Sequence, residues 1–341
     1  MTKLVRWGIL STAQIAQEEL LPAFIDAANA EVVAIASSNP KVKDISMKFG
    51  IPAIYESYDE LLDDPAIDAV YIPLPNALHS QWVKKAAEKG KHVLCEKPAA
   101  LTANEAEEMI EVCKKNGVIF MEAFMYQFHP QHQRVKEIIA SGEIGDVKIM
   151  KVSLSFFLEN RAGNIRMKTE LGGGSLYDVG CYCIHSIRNI LDAEPRRVFA
   201  SNQKDPEGQV DMSVAGIMEF ENGITALFDA AMDRTRIDYY EIIGTQGSLR
   251  VPRAFVPQMF NGEAPIVINT MDGIQREEKL IGHQYVLEVE YFSQCVLDGG
   301  MPNQMVENTV RNLKVIDACF ESIEKETFVN VSSGHSMISG L

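Results

Sequence analysis

The 341-residue chain lacks the features that would associate it with nucleic acids or membranes. Its 32 lysines and arginines are outnumbered by 47 acidic residues, which leaves a formal net charge of -15. An acidic surface disfavours polyanionic partners such as nucleic acids and anionic membrane surfaces. No apolar run approaches the ~18 residues that a membrane span requires. We therefore expect neither a nucleic-acid nor a membrane partner.

Paired cysteines are also missing from the sequence. Six cysteines are scattered along the chain, and the closest pair, Cys181 and Cys183, is not spaced like the ligands of a structural zinc ion. The sequence starts without a recognisable signal peptide, and scattered thiols are typical of a reducing compartment. These features predict a cytoplasmic protein without a metal site.

The length and the order of apolar segments predict two domains. Over residues 1–125, short apolar strands alternate with helical stretches, which is typical of a doubly wound parallel sheet, the Rossmann arrangement. Over residues 126–341, alternation with a period of two dominates, and Asn222-Gly223 and Asp272-Gly273 are hairpin signals. We therefore expect a C-terminal α+β domain with a large, mostly antiparallel open sheet. One face of such a sheet could form a homodimer or homotetramer.

The first strand leads into a turn and a helix, the context in which a dinucleotide-binding motif is meaningful. Gly8 is present, but Ser11, Ala13 and Ala16 stand where the G-x-G-x-x-G motif would have glycines. Small residues still allow a pyrophosphate to approach the backbone and the helix N-terminus. The alternative is an ordinary turn between a strand and a helix. The residues predicted to contact a cofactor here are Gly8, Ser11, Thr12, Ala13 and Ile15.

The end of the second strand bears on the choice of cofactor. An NAD-preferring site normally has Asp or Glu there for the ribose hydroxyls. This chain has Ser37, Ser38 and, three residues later, Lys41, which suit the 2′-phosphate of NADP(H). A serine-rich turn before the next helix explains the same residues equally well. We predict a preference for NADP(H), with NAD(H) as the second choice.

Two other strand ends carry polar residues. Pro75 and Asn76 follow one predicted strand, with His79 in the first turn of the next helix, and Glu96-Lys97-Pro98 ends another. Ligands bind at the carboxyl ends of strands in open α/β sheets, and lysine suits proton chemistry because its pKa shifts readily on burial. The alternative for Glu96 and Lys97 is a solvated pair in a surface turn. We predict that Pro75, Asn76, His79, Glu96 and Lys97 lie near the cofactor.

A glycine run, residues 172–174, leads into a helix whose polar face carries Asp178, Tyr182 and His185. At about 100° per residue these side chains lie on one side of the helix, opposite an apolar stripe. A solvated polar face is the alternative, but such a face more often carries Lys and Glu. Tyr126 lies at the crossover between the predicted domains, where pockets are common. These positions are candidates for catalysis and substrate binding.

These stretches, taken in order and spacing, resemble the glucose–fructose oxidoreductase/inositol dehydrogenase family over nearly the whole chain. The Ser-Thr-Ala turn, together with Tyr182 four residues after Asp178, resembles the dihydrodiol dehydrogenase and D-xylose dehydrogenase branch. The chain departs from the family at His185, where members often carry Asp, at Gln127, where they often carry Arg, and at Ser38, where Arg is also common. The first departure bears on the substrate and the last on the coenzyme.

The resemblance implies an NAD(P)-dependent oxidoreductase that acts on a sugar, a cyclic polyol or a vicinal diol. It assigns proton transfer to Lys97 and Tyr182, and substrate binding to Asp178, with His185 and Tyr126 as further candidates. We expect Tyr182 to exchange the substrate proton while the Lys97 ammonium lowers the pKa of the tyrosine. Reduction of a keto-sugar such as an anhydro-ketose is the alternative reaction. A non-catalytic dinucleotide-binding regulator is the alternative of another class, which the presence of both Lys97 and Tyr182 disfavours.

Overall fold

A computed structural model describes residues 3–207, 209–300 and 303–331. Its first sheet has six parallel strands in the order β3-β2-β1-β4-β5-β6. The strands are β1 (Val5–Leu10), β2 (Ala30–Ala36), β3 (Ala53–Tyr55), β4 (Ala69–Ile72), β5 (His92–Glu96) and β6 (Phe120–Ala123). The helices between them are α1 (Leu21–Asp26), α2 (Val42–Phe49), α3 (Tyr58–Asp63), α4 (His79–Glu88) and α5 (Ala103–Lys115). The predicted doubly wound parallel sheet is confirmed.

The strand order of this sheet positions the site. The chain runs outward from β1 to β3 and then starts again on the other side of β1 with β4. Such a reversal opens a crevice at the carboxyl ends of the strands, where α/β proteins bind ligands. The central strands are apolar because they are covered on both faces, and Trp7, Ile9, Tyr71 and Leu94 are fully buried.

Local signals in the sequence account for several element ends. Thr102 caps α5 by accepting a hydrogen bond from the Glu105 backbone N–H at 3.2 Å, and the Glu105 carboxylate accepts one from the Leu101 N–H at 3.0 Å. The spacing of Thr102 and Glu105 predicts the first bond, whereas the Glu105 carboxylate bonds the N–H one residue before the N-cap and not that of Thr102 itself. Pro98 lies two residues after the end of β5 at Glu96 and has no N–H to donate, so the strand cannot continue through it.

The second sheet has nine strands in the order β14-β13-β12-β11-β7-β10-β9-β8-β15. Its strands are β7 (Val147–Phe157), β8 (Pro195–Lys204), β9 (Asp211–Phe220), β10 (Thr225–Ala231), β11 (Asp233–Gly244), β12 (Gly247–Val251), β13 (Glu263–Thr270), β14 (Gln275–Ile281) and β15 (Val329–Asn330). Only β7 and β10 pair in parallel. The helices of this segment are α6 (Pro130–Ala140), α7 (Cys181–Leu191), α8 (Gln284–Asp298) and α9 (Asn303–Lys325). The predicted large, mostly antiparallel sheet is confirmed.

The last two helices return to the first sheet. The Trp7 indole N–H, in β1, donates to Ser293 Oγ of α8 at 3.2 Å, and the Trp7 ring packs against Phe292. The Ala103 N–H, at the start of α5, donates to Asp317 of α9 at 2.9 Å. Two helices of the second predicted domain, residues 126–341, therefore contact the first predicted domain, residues 1–125. In the part of the chain that the structure describes, no helix is long and apolar enough to cross a membrane.

Candidate active site

Lys97 and Asp178 are in contact where the carboxyl end of β5 faces a helical segment, residues 176–191. This helical segment consists of a π-helix, Leu176–Gly180, followed by α7. Lys97 follows β5, and its Nζ donates to the backbone carbonyl oxygen of Asp178 at 2.7 Å. The same nitrogen lies 4.7 Å from the centre of the Tyr182 ring, one helical turn further on. The structure thus brings together three of the residues that the sequence predicts for catalysis and substrate binding.

Two cations flank the Asp178 carboxylate. Arg166 Nε donates to Oδ2 at 2.6 Å, and Lys97 Nζ lies 3.6 Å from Oδ1. Burial alone raises the pKa of Asp178, but the charges of Arg166 and Lys97 outweigh it and hold the pKa below its usual value. Asp178 is therefore ionised at neutral pH and can only accept hydrogen bonds.

The glycine run lets the backbone pass close to its neighbours. A Cβ on Gly173 would lie 2.5 Å from the Arg166 carbonyl oxygen, and the Gly174 N–H donates to the same oxygen at 2.9 Å. Gly172 accepts a hydrogen bond from the Asn76 side chain at 2.8 Å, which joins the loop to the first sheet. Because residues 172–174 have no side chains, the loop that carries Arg166 can pack directly against the start of the helical segment.

Tyr182 is a neutral phenol in this environment, which corrects one expectation. Burial raises the pKa of Tyr182 well above its usual value, whereas the sequence argument predicts that Lys97 lowers it. The physical reason is burial, which disfavours the charged phenolate, and Lys97 Nζ is already bonded to a backbone carbonyl oxygen. The Tyr182 hydroxyl instead lies 3.3 Å from the sulfur of Met125, which does not stabilise a phenolate.

Tyr126 and His185 form a buried pair rather than a substrate-binding surface. Tyr126 is fully buried and His185 is 2% exposed. The Tyr126 hydroxyl lies 2.6 Å from His185 Nδ1, Asn308 Nδ2 lies 2.8 Å from Nε2, and the imidazole stacks on Phe124. Both ring nitrogens have protein partners and the pair packs against Tyr182, so this geometry gives no support to direct substrate binding, which stays a prediction.

Two predicted cofactor contacts are structural residues. His79 is fully buried, with its ring nitrogens 2.8 Å from the carbonyl oxygens of Pro98 and Leu74, and burial lowers its pKa to about 4. Gly8 lies inside β1, where a Cβ would be 2.7 Å from a methyl group of Leu61. His79 joins the segments that follow β4 and β5, and Gly8 makes room for α3, so both have structural roles and their predicted cofactor contacts stay predictions.

The turn after β1 keeps a conformation that favours glycine. Ser11 has φ +109°, which costs roughly 1–3 kcal/mol for a residue with a side chain. Its hydroxyl offsets part of this cost, because it donates to the Pro73 carbonyl oxygen at 3.1 Å and accepts from the Ala13 N–H at 3.2 Å. Thr12, Ala13 and Ile15 are partly exposed beside it. The turn is thus open enough for the close approach of a pyrophosphate, and these contacts remain predictions.

The turn after β2 is held by hydrogen bonds between its own side chains and backbone, although no side chain among the described residues caps α2. The Ser37 hydroxyl accepts from the Asn39 N–H at 3.1 Å, and the Asn39 side chain accepts from the Lys41 N–H at 3.0 Å. Ser38 and Lys41 are exposed, and Ser37 is 9% exposed. The Ser37 hydroxyl proton is not used by this turn, so its hydrogen bonds and phosphate binding are compatible.

Glu96 and Pro75 lie at the ends of neighbouring strands. Glu96 accepts a hydrogen bond from the Tyr71 hydroxyl at 2.6 Å, and burial raises the pKa of its carboxyl group. Pro75 is partly exposed beside Asn76. Their predicted contacts with a cofactor remain predictions.

Arg166 is a site residue that sequence reasoning missed. It lies in a single 3-10 turn, Ile165–Met167, in the connection between β7 and α7, which is too short to show a hydrophobic period. The available signal was its charge. Arg161, Arg166 and Lys168 are three basic residues just before the glycine run, in a chain with a negative net charge.

A second buried group near Lys97 is Glu122, which accepts from the Ala99 N–H at 2.9 Å.

Comparison with known families agrees with this geometry. A family model described as an oxidoreductase family with an NAD-binding Rossmann fold, GFO/IDH/MocA, matches residues 5–124. The C-terminal domain model of the same family matches residues 132–250. The chain belongs to this family of oxidoreductases. The predicted family and the predicted enzyme class are thereby confirmed.

Relatives of known name act on sugars or diols. The chain is 37% identical to D-xylose 1-dehydrogenase (NADP(+)) 2 of Haloferax volcanii, over 93% of this chain and 97% of the relative. It is 32% identical to trans-1,2-dihydrobenzene-1,2-diol dehydrogenase of Xenopus tropicalis, over 72% and 75% of the two chains. A crystal structure of a 3-ketoreductase from Actinomadura kijaniata with NADP and TDP-benzene superposes with a TM-score of 0.89 and 30% identity, over 94% and 98%.

Proposed function

We propose that the protein is an NADP(H)-dependent oxidoreductase that transfers hydride between nicotinamide and a carbon of a sugar, cyclic polyol or vicinal diol. The observation that carries this proposal is the cluster of Lys97, ionised Asp178 and neutral Tyr182 at the carboxyl end of β5. When bound, the nicotinamide supplies or accepts the hydride, so the side chains have to orient the substrate and exchange one proton.

The residues at the cofactor side fit a dinucleotide with a 2′-phosphate. The turn after β1 consists of small residues, and the end of β2 offers Ser37, Ser38 and the exposed Lys41. Position 37, where an NAD-preferring site would have Asp or Glu, is occupied by serine, so a 2′-phosphate meets no repulsion there. The relative from Haloferax volcanii carries NADP(+) in its name, which supports the same choice.

Asp178, Tyr182 and Lys97 have different roles toward the substrate. Asp178 accepts a hydrogen bond from a substrate hydroxyl, because it is ionised. Tyr182 holds its proton and can donate it to the oxygen of a substrate carbonyl group as that group is reduced. Lys97 positions the helical segment through the Asp178 carbonyl oxygen and places a positive charge beside both residues.

The neutral phenol also favours a second candidate, reduction of a keto-sugar. A tyrosine with a raised pKa is a proton donor at neutral pH and a poor base, which suits the direction from carbonyl to alcohol. A 32% identical relative from Actinomadura kijaniata is named as a 3-reductase of a dTDP-linked didehydro sugar. The two candidates share one site and differ in the physiological direction.

The outer face of the second sheet supports a proposed homodimer or homotetramer. Phe199, Ile217 and Leu227 lie side by side on β8, β9 and β10, and all three are partly exposed. The row continues with Lys151 on β7 and Glu241 on β11, which form an ion pair at 3.5 Å. Leu227→Glu should lower the mass measured by light scattering to that of a monomer.

A substrate panel tests the proposed activity in both directions. NADP+ is combined with D-xylose, a cyclic polyol or trans-cyclohexane-1,2-diol, and NADPH with an anhydro-ketose, while NADPH absorbance is followed. We expect turnover with at least one compound, and its loss in Tyr182→Phe. If no compound changes the absorbance in either direction, the proposal is wrong.

A further inference from the structure

The guanidinium of Arg166 makes limited use of its hydrogen-bonding capacity. Among the contacts that the structure describes, only Nε bonds to the protein, donating to Asp178 Oδ2 at 2.6 Å. The Arg166 side chain is 40% exposed, compared with 15% for Asp178. The centre of the Phe156 ring lies 5.8 Å from the guanidinium carbon. The two terminal amino groups of Arg166 are therefore available beside Asp178.

The backbone holds this guanidinium in a defined place. The Arg166 N–H donates to the Asn164 side chain at 3.0 Å, and the Arg166 carbonyl oxygen accepts from the Gly174 N–H at 2.9 Å. Since the backbone is fixed on both sides and Nε is bound to Asp178, the terminal amino groups of Arg166 are held in one place beside Asp178. Preorganised donors of this kind lose little conformational entropy when they bind a ligand.

A donor and an acceptor thus stand next to each other at the site. Asp178 is ionised and offers Oδ1 as an acceptor, while Arg166 offers N–H donors from the neighbouring position. A single hydroxyl group can donate to the carboxylate and accept from one N–H, whereas two oxygens on adjacent carbons can bond the carboxylate and both terminal amino groups. An isolated hydroxyl group would leave part of this donor–acceptor set without a partner after water has been displaced, which lowers affinity.

We propose that Arg166 is a substrate-binding residue and that Arg166 and Asp178 together bind two oxygens on adjacent carbons of the substrate. The preferred substrates are then vicinal diols and the corresponding hydroxy-ketones, and simple alcohols are disfavoured. This inference rests on the proposed function and narrows its substrate class. Arg166 sets specificity, whereas proton transfer stays with the cluster of Lys97 and Tyr182.

A pair of matched substrates tests the specificity of Arg166. With trans-cyclohexane-1,2-diol and cyclohexanol, Arg166→Met should lower kcat/KM about 10–100-fold for the diol and much less for the simple alcohol. Arg166→Lys, which keeps the charge, should recover part of the loss for the diol. Arg161→Met is the control, because Arg161 lies on the same loop over the Phe157 ring. Equal losses for both substrates in Arg166→Met would mean that Arg166 only positions Asp178, and would overturn the proposal.

A binding measurement separates this inference from the proposed activity. Calorimetry is done with the protein saturated with NADPH, which cannot oxidise an alcohol, using D-xylose and the cyclohexanediol as probes. We expect Arg166→Met to weaken binding about 10-fold or more and Tyr182→Phe to retain it. The inference fails if neither probe binds the unsubstituted protein or if Arg166→Met binds equally well. Binding that depends on Arg166 without turnover would contradict the proposed function alone.

Discussion

The Nζ atom of Lys97 lies over the Tyr182 ring, 4.7 Å from its centre. A cation in this position is attracted by the electrons of the ring. Burial nevertheless raises the pKa of Tyr182 well above its usual value, so the phenol stays neutral. Lys97 Nζ donates a hydrogen bond to the Asp178 carbonyl oxygen, and this bond joins the helical segment to the end of β5. The two residues therefore form one unit with different tasks, in which Lys97 supplies charge and position and Tyr182 supplies the proton.

Substitutions in this unit should abolish most turnover without loss of cofactor binding. Lys97→Met and Tyr182→Phe should each lower kcat by roughly 10²-fold or more, the range expected when general acid–base catalysis is removed. The double variant should be little worse than either single one, because the residues act together. Steady-state kinetics and fluorescence titration with NADPH measure both quantities. If Tyr182→Phe keeps most of its turnover, another group donates the proton.

The glycine run should tolerate substitution differently at different positions. Gly173→Ala places a Cβ 2.5 Å from the Arg166 carbonyl oxygen, so the loop has to move and Arg166 is displaced from Asp178. Because small displacements at a site cost up to about 10²-fold in rate, we expect turnover to fall at least ~10-fold. Gly163→Ala is a matched control on the same loop, with φ +74° and nothing within 4 Å of its Cβ position. It should reduce stability slightly and leave turnover unchanged; equal turnover in both variants would contradict the argument.

Much of the fold could be predicted because period and turn chemistry are local. The strands β7, Val147–Phe157, and β10, Thr225–Ala231, lie in residues 126–341, where alternation with a period of two predicts a mostly antiparallel sheet domain. Thr102 and Glu105 marked the start of α5 correctly. The short strand β3 and the edge strand β15 were not predicted, because three or two residues carry no measurable period.

The site was harder to predict, because a polar face of a helix does not show what covers it. Tyr182 and His185 lie on the same face of α7, yet only Tyr182 lies against Lys97, while Tyr126 and Asn308 occupy both nitrogens of His185. Arg166 reaches Asp178 from a 3-10 turn 12 residues earlier, and nothing in local periodicity encodes that contact. Contacts that depend on tertiary packing need the structure.

Coenzyme preference should depend on the charge at the end of β2. We expect NADP(H) to bind more tightly than NAD(H), and Ser37→Asp to reverse the preference, because a carboxylate there repels the 2′-phosphate and suits the ribose hydroxyls. An aspartate can still accept the Asn39 N–H that Ser37 accepts, so the turn should persist. Fluorescence titration of both coenzymes measures the ratio. Gln275→Glu, an exposed position on β14, controls for the added charge alone. A clear NAD(H) preference in the unsubstituted protein would contradict the prediction.

Glu122 should make the stability of the protein depend on pH near neutrality. Its carboxyl group is 5% exposed, and burial raises its pKa from 4.5 to about 7, against the opposing effect of the hydrogen bond from the Ala99 N–H. Between these two values the folded state holds a proton that the unfolded state has released. The free energy of unfolding should therefore fall as the pH rises from 4.5 to about 7, by roughly 3 kcal/mol in total from this group.

The substitution Glu122→Gln removes this titration and keeps an oxygen that can accept the Ala99 N–H. Relative to the unsubstituted protein, the variant should gain stability between about pH 5 and about pH 8, by roughly 2–3 kcal/mol. Urea unfolding of both proteins at the two pH values measures the difference, and contributions of other titrating groups cancel between them. A stability difference that is the same at both pH values would show that Glu122 already releases its proton in the folded state below neutrality. In that case the positive charge of Lys97, which favours the ionised carboxylate, would outweigh burial.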